Sequence, residues 1–185
     1  VGVPLGVISA VRQGSWTDLG VMLVALSGIS FPVFWVGLVG ILLFAHEVRL
    51  FPALGATSSE NVLTQLHHLA LPALVLGTSV AAYIARLTRS AMLEVLGQEY
   101  VRVARAMGIP ESRVVYRLAL RNALIPVLAV IGVTFAWSLG SAILVEAVFS
   151  RPGLGSMILK AIFARDYQLV QAGVMVLALA VVLIN

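Results

Sequence analysis

Gln98-Glu-Tyr-Val-Arg-Val-Ala-Arg-Ala-Met-Gly108, with its continuation to Pro126, is a compact basic segment set between long apolar runs. Residues 98–121 hold Arg102, Arg105, Arg113, Arg117 and Arg121, while the flanking stretches are nearly free of charge. Hydrophobic residues make up 61% of the 185 and charged residues only 11%, and the mean hydropathy is +1.05. A soluble domain of this size needs more polar surface, so the composition indicates a polytopic membrane protein, and the length of its apolar runs reads as an all-α one. The basic segment is then a place where such a protein meets water.

Working outward, a helix needs about 20 apolar residues to cross a hydrocarbon core of about 30 Å. Residues 19–45 (with Pro32 inside), 66–87 (with Pro72 near one end) and 123–145 are long enough, and 1–11 and 169–184 read as partial spans. Both ends look cut through spans, so one transmembrane domain over 1–185, truncated at both ends, is expected. Eight basic residues, seven of them from Arg86 to Arg121, fall on one side of these spans, against Arg49, Arg151, Lys160 and Arg165 on the other. The positive-inside rule assigns a loop of about 89–122 to the cytoplasm and one of about 147–168 to the outside. The same rule, with anionic lipid as partner, accounts for the sequence pI of about 10.1 without nucleic acid.

Within the basic segment, Tyr100, Val103, Ala104 and Met107 share helical spacing, with Glu99, Arg102 and Arg105 mostly off that face. Gly108 supplies a stop, favoured if its φ is positive. Pro110 suits the start of a second helix, and Glu111 suits its positive end. Arg113, Arg117 and Arg121 then form a stripe opposite Val114, Val115 and Leu118. The reading is helix, glycine turn, helix, leading into a span near Asn122. Two functions fit it: an interfacial hairpin holding lipid headgroups, or a docking element for another protein.

The order of residues favours docking. Gly108 followed nine residues later by Leu118-Ala-Leu120 resembles the cytoplasmic "EAA" loop of ABC-importer permeases, with Ala104 at its second alanine. Arg102 and Val103 replace its Glu and first Ala, and Arg121 replaces its final Pro. The strings from Ala85 to Gly108, Ala119 to Pro126, Val145 to Gly155 and Ala164 to Gln171, with Phe31-Pro-Val-Phe-Trp35, resemble the dipeptide/oligopeptide/nickel branch, where Arg at the Glu position is usual. The likeness is greatest to the first of its two permease subunits.

That resemblance implies a type I permease-like helical bundle importing peptides, with nickel or glutathione as alternatives. It implies a further span and an external domain ahead of residue 1, and a plasma (inner) membrane of bacteria or archaea. Its partners would be a second permease subunit, two ATP-binding subunits and an external solute-binding protein. Coupling to the ATPase would fall on Glu99, Arg102, Ala104, Arg105, Gly108, Glu111, Leu118 and Leu120.

No cofactor is expected on this chain, with ATP and Mg belonging to the partners. Lys160 is the only lysine and no P-loop pattern occurs. The absence of Cys removes disulfides and thiolate metal sites. His46-Glu47 has Leu50 where a zinc protease needs its second His, and His67-His68 reads as an interfacial pair. A membrane enzyme would need paired catalytic groups within the spans, and none is evident.

Three further features have two readings each, and a fourth has one. Glu146 is either part of an external gate meeting a peptide's amino terminus or an acid at the water boundary, paired with Arg151 or solvated. Thr134 and Ser138, like Thr78 and Ser79, either line a polar path or bond their own helix carbonyls. Gly132, Ala136 and Gly140 form a small-residue ridge for packing within the chain or against another subunit. Residues 156–165, after the Gly/Pro cluster, read as a short external helix.

Overall fold

A computed structural model describes residues 1–52 and 61–184. Among these the chain is helical, with no strand. In order come α1 (Gly2–Val11), α2 (Trp16–Ser30), α3 (Val33–Gly40), α4 (Val62–Leu96), α5 (Glu99–Ala106), α6 (Glu111–Arg113), α7 (Leu120–Val148), α8 (Leu154–Ala164) and α9 (Tyr167–Ile184). Widened π-helical turns extend α3 over Ile41–Glu47 and join α6 to α7 over Val114–Ala119.

Val62–Leu96 and Glu111–Val148 are each long and apolar enough to cross a membrane. Their prolines, Pro72 and Pro126, are accommodated inside the helices. The stretch 19–45, expected as one span, is instead interrupted between Ser30 and Val33. Pro32 lacks an N–H and biases Phe31 away from helical geometry, so the helix stops and restarts. It counts as a third span only if the broken pair is taken together. The expected loop of about 89–122 also begins inside α4, which runs on to Leu96.

The chain divides into two compact units, Val1–Ser30 with Ser79–Val133 and Phe31–Thr78 with Thr134–Asn185. The first unit is built on contact between α1 and α4. A β-carbon on Gly2 would lie 2.6 Å from the Ala81 carbonyl oxygen, and one on Gly6 2.5 Å from that of Ala85, so only glycine permits this approach. Val7 and Ala10 of α1 pack with Ala91 and Met92 of α4, Val115 and Ala119 of the π turn, and Ala123 and Val127 of α7.

The second unit centres on Leu71, Val75, Val145 and Phe149, with Val33, Val36 and Val148 around them. There α8 lies on α9, where Gly173 makes room for Ile158.

Candidate functional site

The α5 helix begins after Gln98, which is extended (φ −69°, ψ 150°), and presents Glu99 in its first turn, where an acid suits the helix dipole. It ends in a Schellman turn: the N–H of Ile109 donates to the Ala104 carbonyl (3.2 Å) and that of Gly108 to the Arg105 carbonyl (3.0 Å). Gly108 has φ +76°, the condition under which a glycine stop is favoured there. Pro110, extended at φ −60°, then launches α6 at Glu111. The two short helices are clamped by Val101, Ala104 and Val114, buried together, with Leu96, Ile109 and Leu118 packed around them.

One ion pair spans the turn. Arg105 donates through Nε (3.1 Å) and Nη2 (2.7 Å) to the two carboxylate oxygens of Glu111. These hydrogen bonds hold the Arg105 guanidinium above its ordinary pKa. A second tie comes from Asn122, whose Nδ2 donates to the Tyr100 hydroxyl at 2.8 Å.

The basic stripe stands as read: Arg113, Arg117 and Arg121 are exposed and Val114 and Val115 are buried. Arg102 is exposed, while Leu118 and Leu120 are half-buried. The apolar face of α5 read from spacing is for the most part not its buried face. Of Tyr100, Val103, Ala104 and Met107 only Ala104 is buried; Val103 is 56% and Met107 75% exposed, and Val101 takes the inner position. Periodicity counted apolar residues on the helix, whereas the inner face is set by where Val114 lies. The outcome is an apolar outer strip, Tyr100, Val103 and Met107, bordered by arginines.

The other singled-out residues lie in the second unit. Glu146 accepts a hydrogen bond from the Ser156 N–H at 2.9 Å and so caps α8, replacing a side chain that Gly153 lacks. Ser138 donates to the Phe135 carbonyl at 2.6 Å and Thr78 to that of Leu74 at 2.7 Å, as helix back-bonds. Thr134 is half-buried on α7. Among the described residues nothing lies within 4 Å of where a β-carbon on Gly140 would stand. His67 Nε2 is 2.8 Å from the Leu50 carbonyl oxygen, and the His68 carbonyl accepts from Arg151 at 3.0 Å. Among the described residues no group of three or more His, Cys, Asp or Glu is arranged for a metal.

Sequence reasoning missed one constellation in the first unit. Asp18, only 5% exposed, accepts Arg89 Nε and Nη2 at 2.7 Å each, the Ser9 hydroxyl, and the Gly14 N–H at 2.9 Å. Ser9 sits on α1, Asp18 on α2 and Arg89 on α4. The signal was available: a lone acid at the head of an apolar run, of the kind that faces protein rather than lipid.

The family described as "Binding-protein-dependent transport system inner membrane component" matches residues 2–185. The di/tripeptide transport system permease protein DppB of Pseudomonas aeruginosa is 44% identical, over 100% of this chain and 61% of that protein. The dipeptide transport system permease protein DppB of Escherichia coli is 41% identical, over 100% of this chain and 62% of its own length. The glutathione transport system permease protein GsiC of Pectobacterium atrosepticum is 43% identical, over 100% and 58%. The chain thus spans about three fifths of the length of these relatives.

Proposed function

The chain belongs to the inner membrane components of binding-protein-dependent transport systems, and from that membership we propose that it is the peptide-importing permease subunit of an ABC importer. The observation that carries the reading is the projection formed by α5, Gly108 and α6. Its inner side is packed and its ends are pinned, yet Tyr100, Val103 and Met107 remain uncovered between arginines. Such a rigid apolar strip fits a groove on another protein better than a headgroup layer, which the arginines alone would satisfy.

In this reading Glu99, Arg102, Arg105, Glu111 and the outer strip meet an ATP-binding subunit in the cytoplasm. Ala104, Gly108, Leu118 and Leu120 hold the projection rigid. ATP and Mg act on two such subunits, and closure of that pair is passed through the projection to the spans. Substrate, delivered by an external solute-binding protein, crosses between this chain and a second permease in a bacterial or archaeal inner membrane. Dipeptides and tripeptides are the substrates named for two of the relatives. Glutathione, named for a third, is itself a small peptide and is the second reading.

The test is co-purification of the full-length protein with its partner chains. Val103→Asp with Met107→Asp is expected to release the ATPase while the second permease stays bound. Parental ATPase stoichiometry and ATP-driven uptake in that variant would overturn the reading. Binding of dipeptides, tripeptides, glutathione and nickel chelates to the cognate external protein separates the substrates.

A further inference from the structure

The first unit is held together in two physically different ways. Its apolar core joins α1, the end of α4, the π turn and the start of α7, and through Leu96 it reaches the clamped pair α5–α6. Among the described residues of that core none comes from α2. Only Asp18, Ala25 and Gly28 of α2 are buried, and two of these have little or no side chain to pack. Among the described residues α2 is linked to α4 by the Asp18–Arg89 pair, bidentate at 2.7 Å and 2.7 Å.

Two cavities adjoin this pair. A cavity of 430 Å³ is lined by Gly14, Ser15, Trp16, Leu19 and Met22 together with Asp18 and Arg89. A second, of 390 Å³, lies between Met22, Tyr83, Arg86 and Arg89. Apolar side chains of similar volume would hold two helices together as well as a buried ion pair does. An ion pair differs in fixing one geometry: two parallel N–H···O bonds define both distance and orientation. Ser9 and the Gly14 N–H aim the carboxylate, so α1 and the α1–α2 turn set where Arg89 is met.

Resting on the permease reading above, we infer that Asp18 and Arg89 are positioning residues for coupling: they make α2 move with the ATPase-docking projection as one body. Arg89 lies on α4, ten residues before α5 begins at Glu99. The helix between them is packed into the core at Ala91 and Met92. Motion of the projection is therefore delivered to α4 by packing and to α2 by the ion pair.

The experiment uses the full-length complex in proteoliposomes. Asp18→Asn and Arg89→Lys each keep volume but lose the bidentate geometry. Both are expected to lower uptake per ATP hydrolysed by roughly tenfold, within the range of ordinary coupling energies, with the KM for the loaded binding protein unchanged. Asp18→Leu with Arg89→Met removes both charges, so it assembles without a stranded ion, and its coupling is expected to fall alike.

A second measurement does not depend on variants of the pair. Spin labels at Leu23→Cys and Ser112→Cys, both exposed positions of this unit in a sequence without cysteine, report the distance from α2 to α6. In the parent it is expected to be the same without nucleotide and with a trapped ATP analogue. Parental uptake per ATP in the apolar pair, or a distance that changes with nucleotide in the parent, would overturn the inference. Failure of the permease reading looks different: the parental complex itself would show no ATP-driven uptake.

Discussion

The end of α5 and the end of α8 close with the same hydrogen-bond pattern, but with different residues at the left-handed position. At α5 the Ile109 N–H reaches the Ala104 carbonyl and the Gly108 N–H that of Arg105. At α8 the Asp166 N–H reaches Ala161 and the Arg165 N–H reaches Ile162. Gly108 takes φ +76° and Arg165 φ +58°. A positive φ is thus a cost that this chain accepts at α8 and avoids at α5. The α8 end can bear it because Asp166 turns at once into the next helix, its carboxylate accepting the Leu169 N–H at 3.1 Å. The α5 end has only its short packed seam, where strain would loosen the projection itself.

The largest effect is expected from Gly108→Pro. It would force φ to about −65° and delete the N–H bonded to Arg105, a local cost of about 3 kcal/mol or more. ATP-driven uptake by the reconstituted transporter should be lost; unchanged uptake would detach this turn from coupling.

Next is Gly153→Ala at the entry to α8, where glycine serves space rather than backbone freedom. Its φ is −157°, ordinary extended backbone, but an added β-carbon would run into the Glu146 carboxylate. A loss of about 1–3 kcal/mol is expected, read from amide exchange in α8. Adding Glu146→Ala should make the pair of changes less than additive, because the clash is gone.

The two left-handed positions should then answer in opposite directions. Gly108→Ala is expected to destabilise α5 by about 1 kcal/mol, and Arg165→Gly to stabilise α8 by a similar amount. Local amide exchange at Ile109 and Asp166 measures both. Equal signs would break the comparison.

The smallest effect is expected from Arg105→Gln. Its pair with Glu111 is 42% and 57% exposed, so stability should change by less than about 1 kcal/mol. Thermal unfolding at low and high salt checks this, since screening should erase the difference.

Much of this protein could be read without coordinates because it depends on neighbours in sequence. Hydropathy over some twenty residues marks a crossing helix, and the α4 and α7 runs announce themselves that way. Gly108 before Pro110, and arginines every fourth residue after it, prescribe a helix, a left-handed turn and a striped second helix through local geometry alone. The strings around them carried the family.

Tertiary structure decided what depends on where helices cross. Whether α5 buries Val101 or Val103 was settled by the position of Val114, not by the spacing of apolar residues along α5. Glu146 became the cap of α8 because Gly153 brings that helix start against it. Asp18 and Arg89, 71 residues apart, meet only because glycines let α1 approach α4 and α2 follows α1 through a tight turn. A charge buried in a membrane protein must find its partner, yet the residues beside it in the chain do not say which.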